Sequence, residues 1–403
     1  MNPRPVVLFY CQHSLGMGHL VRSIRLAAGL SDRFRVVFLN GGLMPRGINL
    51  PEGVEVIQLP PLGLDSDGQI VSRDRRRTVD RARELRRKMI LEAFDLLRPQ
   101  IVLIELFPFG RKKFSDELMP LLYAAREARP LVVCSLRDIL VGSRSNQQKH
   151  DERAVAIANN YFDAILVHSD PAFARLEESF NALSKLTTPV RYTGYVSPER
   201  DRALDSNTIR HKRVVVSAGG GLVGHALFQT AIEAHALLRE DEVEMKIIAG
   251  PFLPDEAWRS LRRDARGKTG LQLIRCVPDL CEEMQSAAAS ISQCGYNTSL
   301  DLLQSGVAAL VVPYAEGSED EQTRRAARLE QIGAVRVLDH TQMTAIRLAG
   351  EIRSLLDFKP KAATINMNGQ RASAQIIESL FYKRQAGNFY SYSIPGAIEE
   401  VWP

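Results

Sequence analysis

The chain is poor in the residues that build covalent or metal frameworks. It has five cysteines in 403 residues, an odd number with no CxxC pair. Cys11, Cys134, Cys276, Cys281 and Cys294 fall mostly at apolar strand ends, which argues for reduced thiols and against a disulfide or zinc scaffold. Long hydrophobic runs are also missing. No stretch approaches the length needed to cross a bilayer, and MNPRPVVLFYCQHS lacks the apolar core and cleavage site of a signal peptide, so the expected location is the cytoplasm. Charge of one sign is scarce too: the net charge is +5, too mild to imply a nucleic-acid partner. What remains, 45% hydrophobic and 25% charged residues, suits an ordinary globular protein long enough for two domains.

Charge is concentrated in one place. Segment 73–88, RDRRRTVDRARELRRK, holds nine basic and three acidic residues and is rich in helix formers. A solvated helix face is the plainer reading. The alternative is a peripheral contact with an anionic membrane or an anionic acceptor.

Short β-branched runs alternate with helical patterns along the whole chain. VVLFYC, RVVFLN, VEVIQL, IVLIEL, LVVCSL and AILVHS read as strands, several apolar on both faces, as in a parallel sheet covered by helices. Leu20, Ile24 and Ala27 then recur at helical spacing, making the first unit β-loop-α. A polar, proline-bearing stretch interrupts the rhythm, and the alternation restarts with VVVSA, MKIIAG, LQLIRC, ASISQ, AALVVP and AVRVL. The fold class is therefore α/β, with two doubly wound Rossmann-like domains facing each other across a cleft. The expected boundaries are a first domain at 1–197, a linker at 198–212, a second domain at 213–375 and a tail at 376–403, with two readings open for the tail, crossing back to the first domain or staying loose.

The loop after the first strand reads HSLGMGHLVRS. Gly16 and Gly18 let the backbone turn tightly and approach a ligand, and a helix start offers free N–H groups to an anion. A dinucleotide enzyme fits poorly: the spacing is GxGH, the second strand ends in Asn40 where an acid should hold a ribose, and His19 occupies the mouth. A histidine at a strand's carboxyl edge can take a proton from a hydroxyl. It can equally cap the helix. Glu105 ends the IVLIEL strand on the same rim, where it could orient His19 or instead pair with Arg111 or Lys112.

The second half is denser in special residues. In SQCGYNTSLDLLQSG a strand ends at Gln293, Gly295 turns into a helix, and Asn297, Thr298 and Ser299 at its start suit a diphosphate. Asp301 follows on the first turn, where a carboxylate can accept both ribose hydroxyls. After AALVVP, EDEQTRR opens another helix with Glu321 and Gln322 toward the same rim. Asp65-Ser66-Asp67, the single DxD, follows PPLGL and reads as a turn.

Taken together, these segments resemble the GT-B glycosyltransferase superfamily. The second half is similar to the nucleotide-sugar domain of the group containing the bacterial peptidoglycan N-acetylglucosaminyltransferase and the plant galactolipid synthases. GMGH resembles the amino-terminal loop of plant small-molecule glycosyltransferases, and VVVSAGGGLVGH a second glycine-rich loop. The resemblance implies an inverting, metal-independent transfer of a sugar from a nucleoside diphosphate, UDP for choice, to an acceptor hydroxyl. The donor is a co-substrate, and no resident cofactor or metal is implied. By the same resemblance His19 is the base and Glu105 its support, with His13, Gly16 and Gly18 on the acceptor-side loop. Gly219, Gly220, Gly221 and Gly295 to Ser299 approach the phosphates, Asp301 takes the ribose, Val277 the uracil, and Glu321 with Gln322 the sugar hydroxyls. Two positions depart from the pattern, aspartate for glutamate at 301 and glutamate for aspartate at 105. Rival readings are a nucleotide-sugar 2-epimerase of the same fold and a non-catalytic sugar-nucleotide binder; an oxidoreductase ranks last because of Asn40.

Overall fold

The computed structural model describes residues 4–13, 17–45, 48, 50–65, 67–141, 146–198, 211–314 and 320–387. Gly16, most of the expected linker and the tail beyond residue 387 lie outside them. In chain order the first half forms β1 (Val6–Cys11), α1 (Gly18–Ser31), β2 (Arg35–Asn40), β3 (Val54–Gln58), the antiparallel pair β4 (Leu62–Leu64) and β5 (Ile70–Ser72), α2 (Val79–Leu97), β6 (Ile101–Glu105), α3 (Ser115–Ala128), β7 (Leu131–Arg137), α4 (Gln147–Tyr161), β8 (Ala164–His168) and β9 (Val190–Tyr192). The main sheet is parallel, in the order β3-β2-β1-β6-β7-β8-β9.

Alternation along the central strands decides which side chains reach which layer. Leu8 and Tyr10 of β1, with Val102 and Ile104 of β6, join the core on the α2–α3 side. Val7, Phe9 and Cys11, with Ile101 and Leu103, face α1. Glu105 continues this second series. Because β1 and β6 run parallel with Tyr10 opposite Ile104, the carboxylate emerges at the carboxyl edge, on the side where α1 begins.

The second half repeats the plan with β10 (His211–Ser217), α5 (His225–Ala236), β11 (Glu244–Ile248), α6 (Asp255–Ala265), β12 (Leu271–Ile274), α7 (Leu280–Gln285), β13 (Ala287–Ser292), α8 (Tyr296–Ser305), β14 (Ala308–Val311), α9 (Glu321–Gln331), β15 (Arg336–Val337), α10 (Ala345–Leu356) and α11 (Gly369–Gln385). Its sheet is also parallel, in the order β12-β11-β10-β13-β14-β15.

Two sequence expectations need correction. The basic segment becomes helical only at Val79, because the Thr78 side chain caps the helix by accepting from the Arg81 amide; Arg73 to Arg77 precede it. The second domain does not keep the chain to residue 375. Helix α11 lies against α1 and buries Ala374, Ile377 and Phe381 with Val7 and Phe9 of the first domain. These apolar positions match the first core, so the crossing comes before the helix. There Asn368 bridges Val196 antiparallel, and Tyr195 N–H donates to the Asn366 carbonyl at 2.8 Å.

The domains are also tied across the cleft. Arg325 of α9 donates two bonds of 2.9 Å to Asp138, which follows β7, and a third of 2.8 Å to the Cys294 carbonyl. Both charged side chains are shut away from solvent, 1% and 0% exposed. None of the described helices is long and apolar enough to cross a membrane. All five cysteines are free thiols.

Candidate active site

The site begins where β1 ends. Helix α1 starts at Gly18 and sets His19 on its first turn, directly over the emerging carboxylate of Glu105. The His19 Nδ1 lies 2.6 Å from Glu105 Oε1. Ionised Glu105 can only accept, so Nδ1 carries the hydrogen and Nε2 keeps a free lone pair. Arg22, one turn along the same face of α1, donates to the same oxygen at 2.6 Å. From the turn after β6, Arg111 reaches Oε2 at 3.2 and 3.4 Å.

One fully buried carboxylate thus serves an imidazole and two guanidiniums. Burial alone would raise the Glu105 pKa, but His19, Arg111 and Arg22 outweigh it and hold the group well below the usual carboxylate range. Burial also drives His19 well below its ordinary value; Glu105 opposes this, while Arg111 and Arg22 reinforce it. His19 is therefore neutral at physiological pH. His13, which follows β1, is lowered to about 4 by burial and then by Arg111, and its Nε2 has no hydrogen-bond partner among the described residues.

Across the cleft the start of α8 faces this cluster. Asn297 donates its side-chain amide to the Gly18 carbonyl at 3.2 Å and accepts from Arg25 at 3.4 Å. Asp301, nearly buried, has its carboxylate 3.9 Å from Arg25. Arg22 stacks on the ring of Tyr296, 5.2 Å from its centroid. A Cβ added to Gly295 or to Gly219 would meet nothing within 4 Å, so both backbones border open space. Gly221 differs. Its φ of +87° and a Cβ position 2.0 Å from the Ala249 carbonyl demand glycine for packing against its own chain.

Residues 214–380 match the family described as glycosyltransferase family 28 C-terminal domain. The second domain is therefore similar to a family 28 carboxy-terminal domain. The chain is 31% identical over 169 residues to the UDP-N-acetylglucosamine–N-acetylmuramyl-(pentapeptide) pyrophosphoryl-undecaprenol N-acetylglucosamine transferase of Aromatoleum aromaticum, a match covering 40% of this chain and 46% of the relative. The chain thus aligns with about half of that relative's length. The whole chain shares its architecture with CalG4, the calicheamicin glycosyltransferase (TM-score 0.57, 16% identity, 97% of this chain and 100% of that one). It also superimposes on a putative UDP-N-acetylglucosamine 2-epimerase from Listeria monocytogenes (TM-score 0.60, 12% identity, 97% and 99%). At such identities the likeness is one of fold, and that fold is GT-B.

The remaining expected residues of the second domain are dispersed or engaged. Ser299 is buried and donates to the Gly295 carbonyl at 2.9 Å; Thr298 is buried as well. The Gln322 carbonyl oxygen accepts from the Cys294 and Tyr314 amides at 3.0 and 3.2 Å, stapling two loops, and Glu321 is paired with Arg137 of the first domain. Val277 packs against Val215, Ile248 and Ala287. Asp65 accepts from the Asp67 and Gln69 amides, a turn as expected, with Ser66 outside the described residues. Sequence reasoning missed Arg22 and Arg25. Their spacing from His19 in GHLVRSIR was the available signal, since three residues on a helix return to the same face. In the basic segment, six of the nine cations are paired: Arg76 and Arg77 with Asp74, Arg81 with Glu84, Arg83 with Asp116, Arg86 with Glu117 and Lys88 with Glu92. These six cations share five carboxylates, because Arg76 and Arg77 both take Asp74.

Proposed function

We propose that the protein is an inverting glycosyltransferase that moves a sugar from a nucleoside-diphosphate sugar, a UDP-sugar, to an acceptor hydroxyl without a metal. The observation that carries this reading is the His19–Glu105 contact at 2.6 Å on a rim opposite the start of α8 in a domain similar to family 28. The acceptor oxygen attacks the anomeric carbon, forming the new glycosidic bond. Its proton passes to His19 Nε2, and the bond from the anomeric carbon to the diphosphate oxygen breaks. Glu105 fixes the ring so that Nε2 faces the acceptor. Amides at the start of α8, with the open backbones of Gly295 and Gly219, receive the departing diphosphate, where their help grows as charge develops.

Asp301 takes the ribose hydroxyls in this scheme, exchanging them for Arg25, which is then free to turn toward the diphosphate. Val277 borders the base. Gln322 keeps its NH₂ group for a sugar hydroxyl because its oxygen is already used, and Glu321 leaves Arg137 to join it. The test is transfer by His19→Ala with a UDP-sugar and an acceptor panel: a general base contributes ~10²–10⁴-fold, and undiminished turnover by the folded variant would remove the assignment. Incubation with donor alone separates the epimerase reading, which predicts an isomerised donor and needs no acceptor.

A further inference from the structure

The charges around Glu105 do not balance. Arg22 is 1% exposed and lies 2.6 Å from Oε1, so it is the guanidinium that neutralises the buried carboxylate. Arg111 then carries a positive charge in excess. Its two bonds to Oε2 are long, 3.2 and 3.4 Å, its side chain is 12% exposed, and Glu105 is the sole carboxylate paired with it among the described residues. No bond from its Nη1 is seen among those residues. Two further buried polar atoms, His13 Nε2 and Arg22 Nε, also lack partners among the described residues. One carboxylate shared between two guanidiniums leaves positive charge suited to an additional anion.

Position selects which anion. Glu105 holds His19 on Oε1 and Arg111 on Oε2, so whatever meets Arg111 sits beside whatever gives its proton to His19. Transfer to a neutral hydroxyl would leave His19 positively charged next to two guanidiniums and one carboxylate, an unfavourable gathering in a buried site. A substrate anion on Arg111 offsets that charge as it forms. We propose that Arg111 is the anion-binding residue of the acceptor site, and that the acceptor carries a phosphate or carboxylate group next to its reacting hydroxyl. This rests on the glycosyl-transfer reading, and the donor's own diphosphate is the competing source of the same chemistry.

The probe is inorganic phosphate, titrated calorimetrically at low ionic strength into the full chain saturated with UDP, and UDP is titrated separately. Arg111→Gln should weaken phosphate by roughly tenfold or more, the loss expected for a charge-assisted pair. Arg111→Lys, which keeps the charge and guards against a folding defect, should restore part of it. UDP affinity should be the same in all three proteins. Equal phosphate affinity for wild type and Arg111→Gln, or no phosphate binding beside UDP, would overturn the proposal. A fall in UDP affinity parallel to that for phosphate would overturn it as well, assigning the anion to the donor. Failure of wild type to bind UDP at all would instead sink the glycosyl-transfer reading beneath it.

Discussion

Replacing Asp138 with alanine tests whether the two domains are held as described. The mutation removes the only carboxylate paired with Arg325 among the described residues and leaves that guanidinium 1% exposed, with a single remaining bond to the Cys294 carbonyl. An unpaired buried charge of this kind costs about 3–5 kcal/mol. The double variant Asp138→Leu, Arg325→Met removes both charges and keeps similar volume. It should return to within about 1 kcal/mol of wild type or exceed it, since well-packed apolar pairs often match buried ion pairs. Urea unfolding followed by circular dichroism reads both, as a drop in midpoint for the single variant and its recovery in the double. If the single variant falls by less than about 1 kcal/mol, the pair is wet in solution and the interface does not close as drawn.

Two further outcomes follow from burial. Phe381→Ala should cost about 3–5 kcal/mol in the same assay, because the ring lies in the first domain's core although it comes from the end of the chain; a loss below about 1 kcal/mol would mean that α11 does not dock. His13 is held at about 4 in the fold, against 6.5 in its ordinary state. The unfolded chain therefore takes up a proton first as pH falls, so the stability this residue contributes is complete above pH 6.5 and is lost on the way down to 4. Between pH 7 and about 4.5 the wild type should lose about 2–3 kcal/mol more than His13→Asn. Equal losses in the two proteins would refute the burial argument.

Much of the architecture was legible because it depends on periodicity. Apolar runs gave every strand of both parallel sheets except β9, and the GMGH opening was rightly set between β1 and α1. The pairing of β4 with β5 went unread, since three-residue strands carry no period. At the site, alternation along IVLIEL was enough to send Glu105 to the side of α1. It could not show that His19 and Arg111, weighed as alternative partners, both bind it, because a carboxylate has two oxygens and a spacing argument counts one neighbour at a time. Contacts between domains were the least visible. Asp301 turning to Arg25 and Glu321 to Arg137 depend on how two separate units meet, which no local pattern encodes.

The return of the chain through Asn366 and Asn368 has a mechanical consequence. The outgoing strand at Tyr195 and Val196 and the incoming one are bonded to each other, so the lobes share a doubled strap along a single line. That strap works together with the clasps of Arg325 on Asp138 and Arg137 on Glu321, so the lobes are fastened at separate places. Whatever enters between the lobes must displace the contact between Gly18 and Asn297 at the opposite edge.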